Sequence, residues 1–374
     1  MASNTATRYL VPDVGRGFML LLIAIAHAPL SIAFTSEPRP ETDGFVRLLT
    51  LLFVDSRAFV MFSVLFGFGL ALTVRRYRNK GLSESTIKKM LKRRSSFLLL
   101  FGFIHLVFIG GMDILAFYGL TGLLIIPILF HATRKKKAMI YAGVVTLIVM
   151  PLIWFFSGTS ILFADDGLPN TYLEMVITGL FSFPFVVLFQ LLLYPFVLVI
   201  LIGAWVESKG WIQQPDKYAR SFTPFAIAAV LFSIVGALPY ALAETSIITV
   251  SDTLFISFFI LHMFVGILGG LGYIVLVALI MLKLQKSSIT AHFASLGKRS
   301  LSFFIYQEGM LVLLLSNVGF VLGTQFGYTG AFIIALFVWL SSLIFASLLA
   351  HLGKQGPVEF VFRKLVHRNG IPHT

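Results

Sequence analysis

Ten times along the chain a long apolar run gives way to a short polar one. The runs cover about 17–35, 57–74, 95–111, 113–131, 138–157, 179–205, 222–243, 254–282, 300–320 and 328–352. Most approach the roughly 20 residues that an α-helix needs to cross hydrocarbon. The pattern predicts an all-α fold, a polytopic membrane helix bundle of about ten transmembrane helices in a single domain over 1–374. Runs three and four meet at Gly110-Gly111, too short a junction for anything but a tight helical hairpin. Residues 45–56 are apolar but end in Asp55-Ser56-Arg57, which predicts either a short surface helix before the second span or an outer extension of it. The chain shows no internal repeat, long linker or low-complexity stretch.

The polar gaps set an orientation. Of the 29 Lys and Arg residues, 26 fall in alternate gaps or at the two ends; only Arg39, Arg47 and Arg57 lie elsewhere. The opposite gaps carry acids instead: Glu37, Glu41 and Asp43, then Asp165 and Asp166, then Glu244 and Asp252. Under the positive-inside rule both termini are expected to be cytoplasmic, which an even number of spans requires. The run from Gly17 to Phe34 is too long for a signal-peptide core, and Met1–Thr7 is not strongly basic, so this run is expected to stay as a helix.

Composition narrows the class further. The 374 residues are 58% hydrophobic and only 12% charged, and mean hydropathy is +0.93. Soluble domains carry about 25% charged residues. The net charge of +13 is confined largely to the alternate gaps, so it reads as an orientation signal and not as a nucleic-acid surface. The absence of cysteine excludes disulfides, thiolate nucleophiles and Cys-ligated metal. The glycines at 67, 69, 266, 269, 270 and 272 suit close helix packing; no strand precedes them and no Lys-Ser/Thr follows, so they are not a phosphate loop.

Two basic stretches read as interfacial helices, near 83–94 and 357–368. Ser83 can cap the first, and its lysines and arginines suit anionic lipid headgroups or a cytosolic anionic substrate such as an acyl-CoA. In the second, Pro357 opens a helix with Glu359 and Arg363 spaced i,i+4.

The first span carries unusual chemistry. Arg8, Asp13 and Arg16 open it and His27 lies eleven residues beyond Arg16, about 16 Å deeper and near one face. An ionisable residue in hydrocarbon is by default a functional candidate. Asp13 and Arg16 are placed to pair, and Arg8 with Arg16 to hold a donor phosphate; the alternative is that these charges lock the helix start at the surface. His105 and Asp113 flank the Gly110-Gly111 turn, and either line a cavity with His27 and Tyr118 or make an interhelical hydrogen bond. Glu308, beside Gln307 and Tyr306, is expected to pair with a histidine, relay a proton or bind a cationic substrate, or else to sit protonated. His262 has no sequence neighbour to strengthen it. Two histidines and an aspartate suit zinc, but no tight ligand spacing is present and no metal or cofactor is expected.

Four blocks resemble the YeiB-like family, the domain of unknown function 418. They are Arg8-Tyr9-Leu10-Val11-Pro12-Asp13-Val14-Gly15-Arg16-Gly17; Phe62-Ser63-Val64-Leu65-Phe66-Gly67-Phe68-Gly69; Gly102-Phe103-Ile104-His105 with Asp113-Ile114-Leu115 and Tyr118; and Gly297-Lys298-Arg299-Ser300-Leu301-Ser302 with Gln307 and Gly356-Pro357-Val358-Glu359-Phe360 with Arg363. The C-terminal family block is expected at about 230–370. More remotely, the family is similar to the transmembrane acyltransferases, including acyltransferase family three and the heparan glucosaminide acetyltransferases. That resemblance implies a bacterial plasma-membrane protein moving an acyl group from a cytosolic donor, with acyl-CoA as the candidate, to a cell-envelope acceptor. It implies His27 as base, Arg8, Asp13 and Arg16 at the donor end, and His105, Asp113, Tyr118, Gln307 and Glu308 along the path. The family usually has a small residue where Glu308 stands. The alternative function is a transporter or exporter that uses the same groups as a substrate or proton path; membrane lipids are the expected partners.

Overall fold

The computed structural model describes residues 10–32, 41–158 and 169–366. All regular structure among them is helical: α1 (Leu10–His27, continued as a tighter turn over Ala28–Ser31), α2 (Glu41–Phe53), α3 (Arg57–Asn79), α4 (Glu84–Ile104), α5 (Leu115–Leu129), α6 (Ala132–Val144), α7 (Met150–Ser157), α8 (Tyr172–Leu193), α9 (Phe196–Lys209), α10 (Pro215–Glu244), α11 (Asp252–Leu284), α12 (Ser288–Gly297), α13 (Ser300–Leu315), α14 (Leu322–His351) and α15 (Pro357–Val366). Seven helical stretches among the described residues are long and apolar enough to cross a membrane, and Leu115–Leu129 and Ser300–Leu315 are shorter apolar helices.

Small residues draw the helices together. Gly67 on α3 lies against the Ile200 carbonyl of α9, and Gly203 on α9 lies against the Val64 carbonyl of α3, so any side chain at either would meet backbone. The two helices run in the same direction: Phe59 and Phe196 rings lie 5.1 Å apart at one end, and Arg75 pairs with Glu207 at 2.9 Å at the other. Gly17 on α1 similarly meets the Phe293 carbonyl of α12.

Local chemistry explains the boundaries. Ser83 caps α4 by accepting the Thr86 amide hydrogen at 3.3 Å, and Lys88, 2.5 Å from Glu84, holds that exposed carboxyl below its ordinary range. The helix does not stop at 94, however. It runs unbroken into the third apolar run, because nothing between Arg94 and Phe97 interrupts a helical chain; the stretch near 83–94 is therefore the first part of α4 and not a separate surface helix. Gly110 and Gly111, both with positive φ (80° and 76°), turn the chain from α4 into α5 as the hairpin pattern requires. Residues 45–56 resolve into α2, a break at Val54–Ser56 and the start of α3; Ser56 adopts φ 65°.

The apolar run 179–205 is not one helix. Tyr194 is extended (φ −118°, ψ 145°) and Pro195 follows, separating α8 from α9, since a residue before proline is biased away from helix. Helix α8 touches the α4–α5 junction from both its ends: the Tyr172 hydroxyl donates to the Phe108 carbonyl at 3.0 Å, and the Gln190 amide donates to the Asp113 carbonyl at 2.7 Å. The last apolar run is α14, kinked at Gly327, where the Asp43 carboxylate accepts from the Tyr328 and Thr329 amides at 3.0 and 2.9 Å. In α15 the expected Glu359–Arg363 pair gives way to a longer reach. Glu359 accepts from the Leu301 and Ser302 amides at 2.8 and 3.0 Å and from the Ser302 hydroxyl, because the unsatisfied amides at the start of α13 outcompete an exposed cation.

Candidate functional site

Two histidine–carboxylate pairs stand back to back around one phenylalanine. His27, at the end of α1, lies with Nδ1 2.7 Å from Glu308 Oε1 on α13; the glutamate side chain is 2% exposed and the imidazole 13%. His105, at the start of a wide π-helical turn (His105–Ile109) that ends α4, lies with Nδ1 3.1 Å from Asp113 Oδ1. Phe304, one turn before Glu308, presents its ring to both imidazoles, with centroids 6.5 Å from His27 and 5.4 Å from His105.

The second pair is built by the hairpin. Asp113 also accepts the Leu115 and Ala116 amides, at 3.2 and 2.8 Å, so it caps α5 while it holds His105. Both its oxygens are committed, and His105 Nε2 is buried with no partner. The same turn reaches the first pair, since a Cβ at Gly111 would lie 3.1 Å from Glu308 Oε2. The Gly110-Gly111 turn therefore packs directly on the carboxylate that faces His27.

A cavity of about 230 Å³ lies on the other side of Phe304. Asp13 and Arg16 from α1, Arg94 from α4, Tyr118 from α5, Lys298 just before α13 and Phe362 from α15 are among its lining. Asp13 and Arg16 are 3.7 Å apart. Tyr118 shares a hydrogen bond of 2.8 Å with Ser63. Gly69, in the second family-like block, leaves room for Arg16: a Cβ there would sit 3.1 Å from its terminal nitrogen.

Of the expected site residues, then, His27 meets Glu308, His105 meets Asp113, and Asp13, Arg16 and Tyr118 share the cavity. Gln307 turns away, donating to Ser342 on α14 at 3.1 Å. Arg8 lies outside the described residues. His262 is buried against Tyr240, ring centroids 5.0 Å apart, with Nδ1 unpartnered. Among the described residues no three His, Cys, Asp or Glu side chains gather as a metal site. Sequence reasoning missed Phe304 and Arg94. Arg94 looked like one of nine basic residues in a polar gap, yet it continues the stripe of Ile87, Met90, Leu91 and Leu98 that α4 buries.

The class these features define is a helical protein built to span a bilayer, with ionisable pairs in its interior. The model of the family described as "Protein of unknown function (DUF418)" matches residues 206–369 of this chain. That match starts near the end of α9 and takes in Phe304, Glu308, Lys298 and Glu359, but His27, His105, Asp113, Arg16 and Arg94 lie before it. The chain is also similar to the uncharacterized protein YxaH of Bacillus subtilis (strain 168), 21% identical, with 98% of this chain and 96% of that protein covered. A second relative is an uncharacterized 39.9 kDa protein in the amylase 3′ region of Bacillus acidopullulyticus, 29% identical over 37% of this chain and 38% of the relative.

Proposed function

We propose that this protein is a transmembrane acyltransferase-like enzyme of the bacterial plasma membrane, moving an acyl group from a cytosolic donor to a cell-envelope acceptor. The observation that carries this reading is the 2.7 Å contact between His27 Nδ1 and Glu308. A carboxylate on Nδ1 fixes the tautomer in which Nε2 carries the lone pair, the arrangement a general base needs. Nε2 would take the proton of an acceptor hydroxyl as its oxygen attacks the acyl carbonyl. Collapse of the tetrahedral intermediate breaks the bond to the donor, and the imidazolium returns the proton to the leaving group.

In this reading ten segments cross the membrane: α1, α3, α4, α5, α6 with α7, α9, α10, α11, α13 and α14. Helix α8, which touches residues 108 and 113 from opposite ends, would lie within one leaflet. Both termini are then cytoplasmic, and the cavity beside Arg16 and Arg94 faces the cytosol. His105 and Asp113 act by holding the turn beneath Glu308 and by packing Phe304, and Phe304 must swing aside for an acyl carbonyl to meet His27.

The test uses purified protein in lipid nanodiscs with labelled acyl-CoA and envelope extract. Label should pass to an acceptor, and His27→Ala should slow transfer by about 100-fold or more. Equal labelling by the variant would remove His27 as the base. Transport is the second reading, favoured by the placement of both imidazoles inside the bundle away from the cavity; substrate uptake into liposomes without acylation would select it.

A further inference from the structure

The cavity beneath the candidate base changes character along its length in a consistent way. On three of its helices a polar residue lines one end, and a residue one turn further along lines the other: Arg16 then Met19 on α1, Arg94 then Leu98 on α4, Leu301's neighbour Ser300 then Phe304 on α13. The polar end reaches the surface, where the Arg16 side chain is 28% exposed and Lys298 is exposed. The apolar end is closed, with Met19 0% and Phe304 1% exposed. The shape is that of a slot for an amphiphile entered head last.

Among the described residues the polar end is lined by three cations, Arg16, Arg94 and Lys298, and two carboxylates, Asp13 and Glu359. Asp13 is 3.7 Å from Arg16. Glu359 also lines the cavity, but its carboxylate is committed to the first amides of α13 and to Ser302. No carboxylate among the described residues pairs with Arg94, and its Nε is buried without a hydrogen-bond partner. A half-buried guanidinium whose inner Nε is left open beside a second guanidinium is costly in the empty protein. An anion that accepts from the Arg94 fork removes that cost, and a phosphate suits it because its oxygens match the planar N–H pair.

We propose that this cavity binds a phosphate-headed amphiphile, with Arg94 as the residue that reads the head and Phe304 as the floor that limits the tail. The volume of about 230 Å³ falls below the roughly 300–1,000 Å³ of ordinary small-molecule sites, so the tail it accepts is short or only the first part of a longer one. The inference deepens the acyl-transfer reading by naming the chemistry of the ligand, but it concerns binding alone. A lipid head and a soluble phosphate ester share that chemistry.

The probes are alkyl phosphates of stepwise increasing chain length, titrated calorimetrically against the full chain in neutral-lipid nanodiscs without any acceptor. Wild type should bind hexyl phosphate at least tenfold more tightly than inorganic phosphate and should not bind the matching alkyltrimethylammonium. Arg94→Gln should weaken hexyl phosphate at least tenfold, Arg94→Lys by less, and Lys92→Gln, an exposed charge on the same helix, should change nothing. Phe304→Ala should move the longest accepted chain upward. Competition by phosphatidic acid built into the nanodiscs would assign the head to a lipid, and its failure to compete would assign it to a soluble ester. Unchanged affinity in both Arg94 variants, or equal binding of the ammonium probe, overturns the proposal. His27→Ala should retain binding, so a failure of the transfer reading and a failure of this one give different results.

Discussion

Two arginines in the same bundle, Arg57 buried and Arg94 half-buried, meet opposite circumstances. Arg57, at the corner between α2 and α3, is 1% exposed and among the described residues has no carboxylate in hydrogen-bond contact, yet its guanidinium donates to the Leu51, Asp55 and Ser233 carbonyls at 2.9, 2.7 and 2.7 Å. Arg94, at the cavity, keeps a buried Nε with no acceptor and faces a second cation in Arg16. The first is a clamp that ties the α2–α3 corner to α10. The second is a donor group held open. A buried charge is thus weak evidence of function by itself; what separates the two is whether the fold has already supplied the acceptors.

The contrast can be broken most forcefully at Arg57. Arg57→Leu strips three carbonyls of their donor and should cost about 3 kcal/mol of stability, read as a large drop in the thermal midpoint of the purified protein. Next comes Glu359→Gln, which weakens the charge-assisted hold on the first turn of α13; a loss of about 1–2 kcal/mol is expected, with faster proteolysis of α15. The smallest effect belongs to Arg94→Leu. Removing a half-buried cation whose Nε lacks an acceptor and which sits near Arg16 should leave stability unchanged or raise it by up to about 1 kcal/mol, while anion binding disappears. A loss at Arg94 as large as that at Arg57 would mean that both are clamps and that the comparison fails.

Much of the helical frame was legible in the amino-acid pattern because bilayer-length apolar runs and Ser83 or Gly110-Gly111 signals are local. The error at 179–205 has a plain cause: hydropathy averages over Tyr194-Pro195, although the proline itself marks the break. Pairing was harder to read. His105 and Asp113 sit eight residues apart, and only the reversal at the two glycines brings them to 3.1 Å. His27 and Glu308 lie 281 positions apart; each announces a need for a partner by being ionisable in an apolar run, but nothing local says which partner. Arg94 was hidden by its company, since a charge count weighs all nine cations of that gap alike while the helix buries one face of them.

The Glu359 contact carries one more consequence. The carboxylate that steadies the opening turn of α13 belongs to the short terminal helix, and α13 is also the helix that bears Phe304 and Glu308. Shortening the polypeptide from its far end would therefore loosen the seat of the acid that faces His27, and a truncated protein would be mistaken for one whose reactive groups had been cut away.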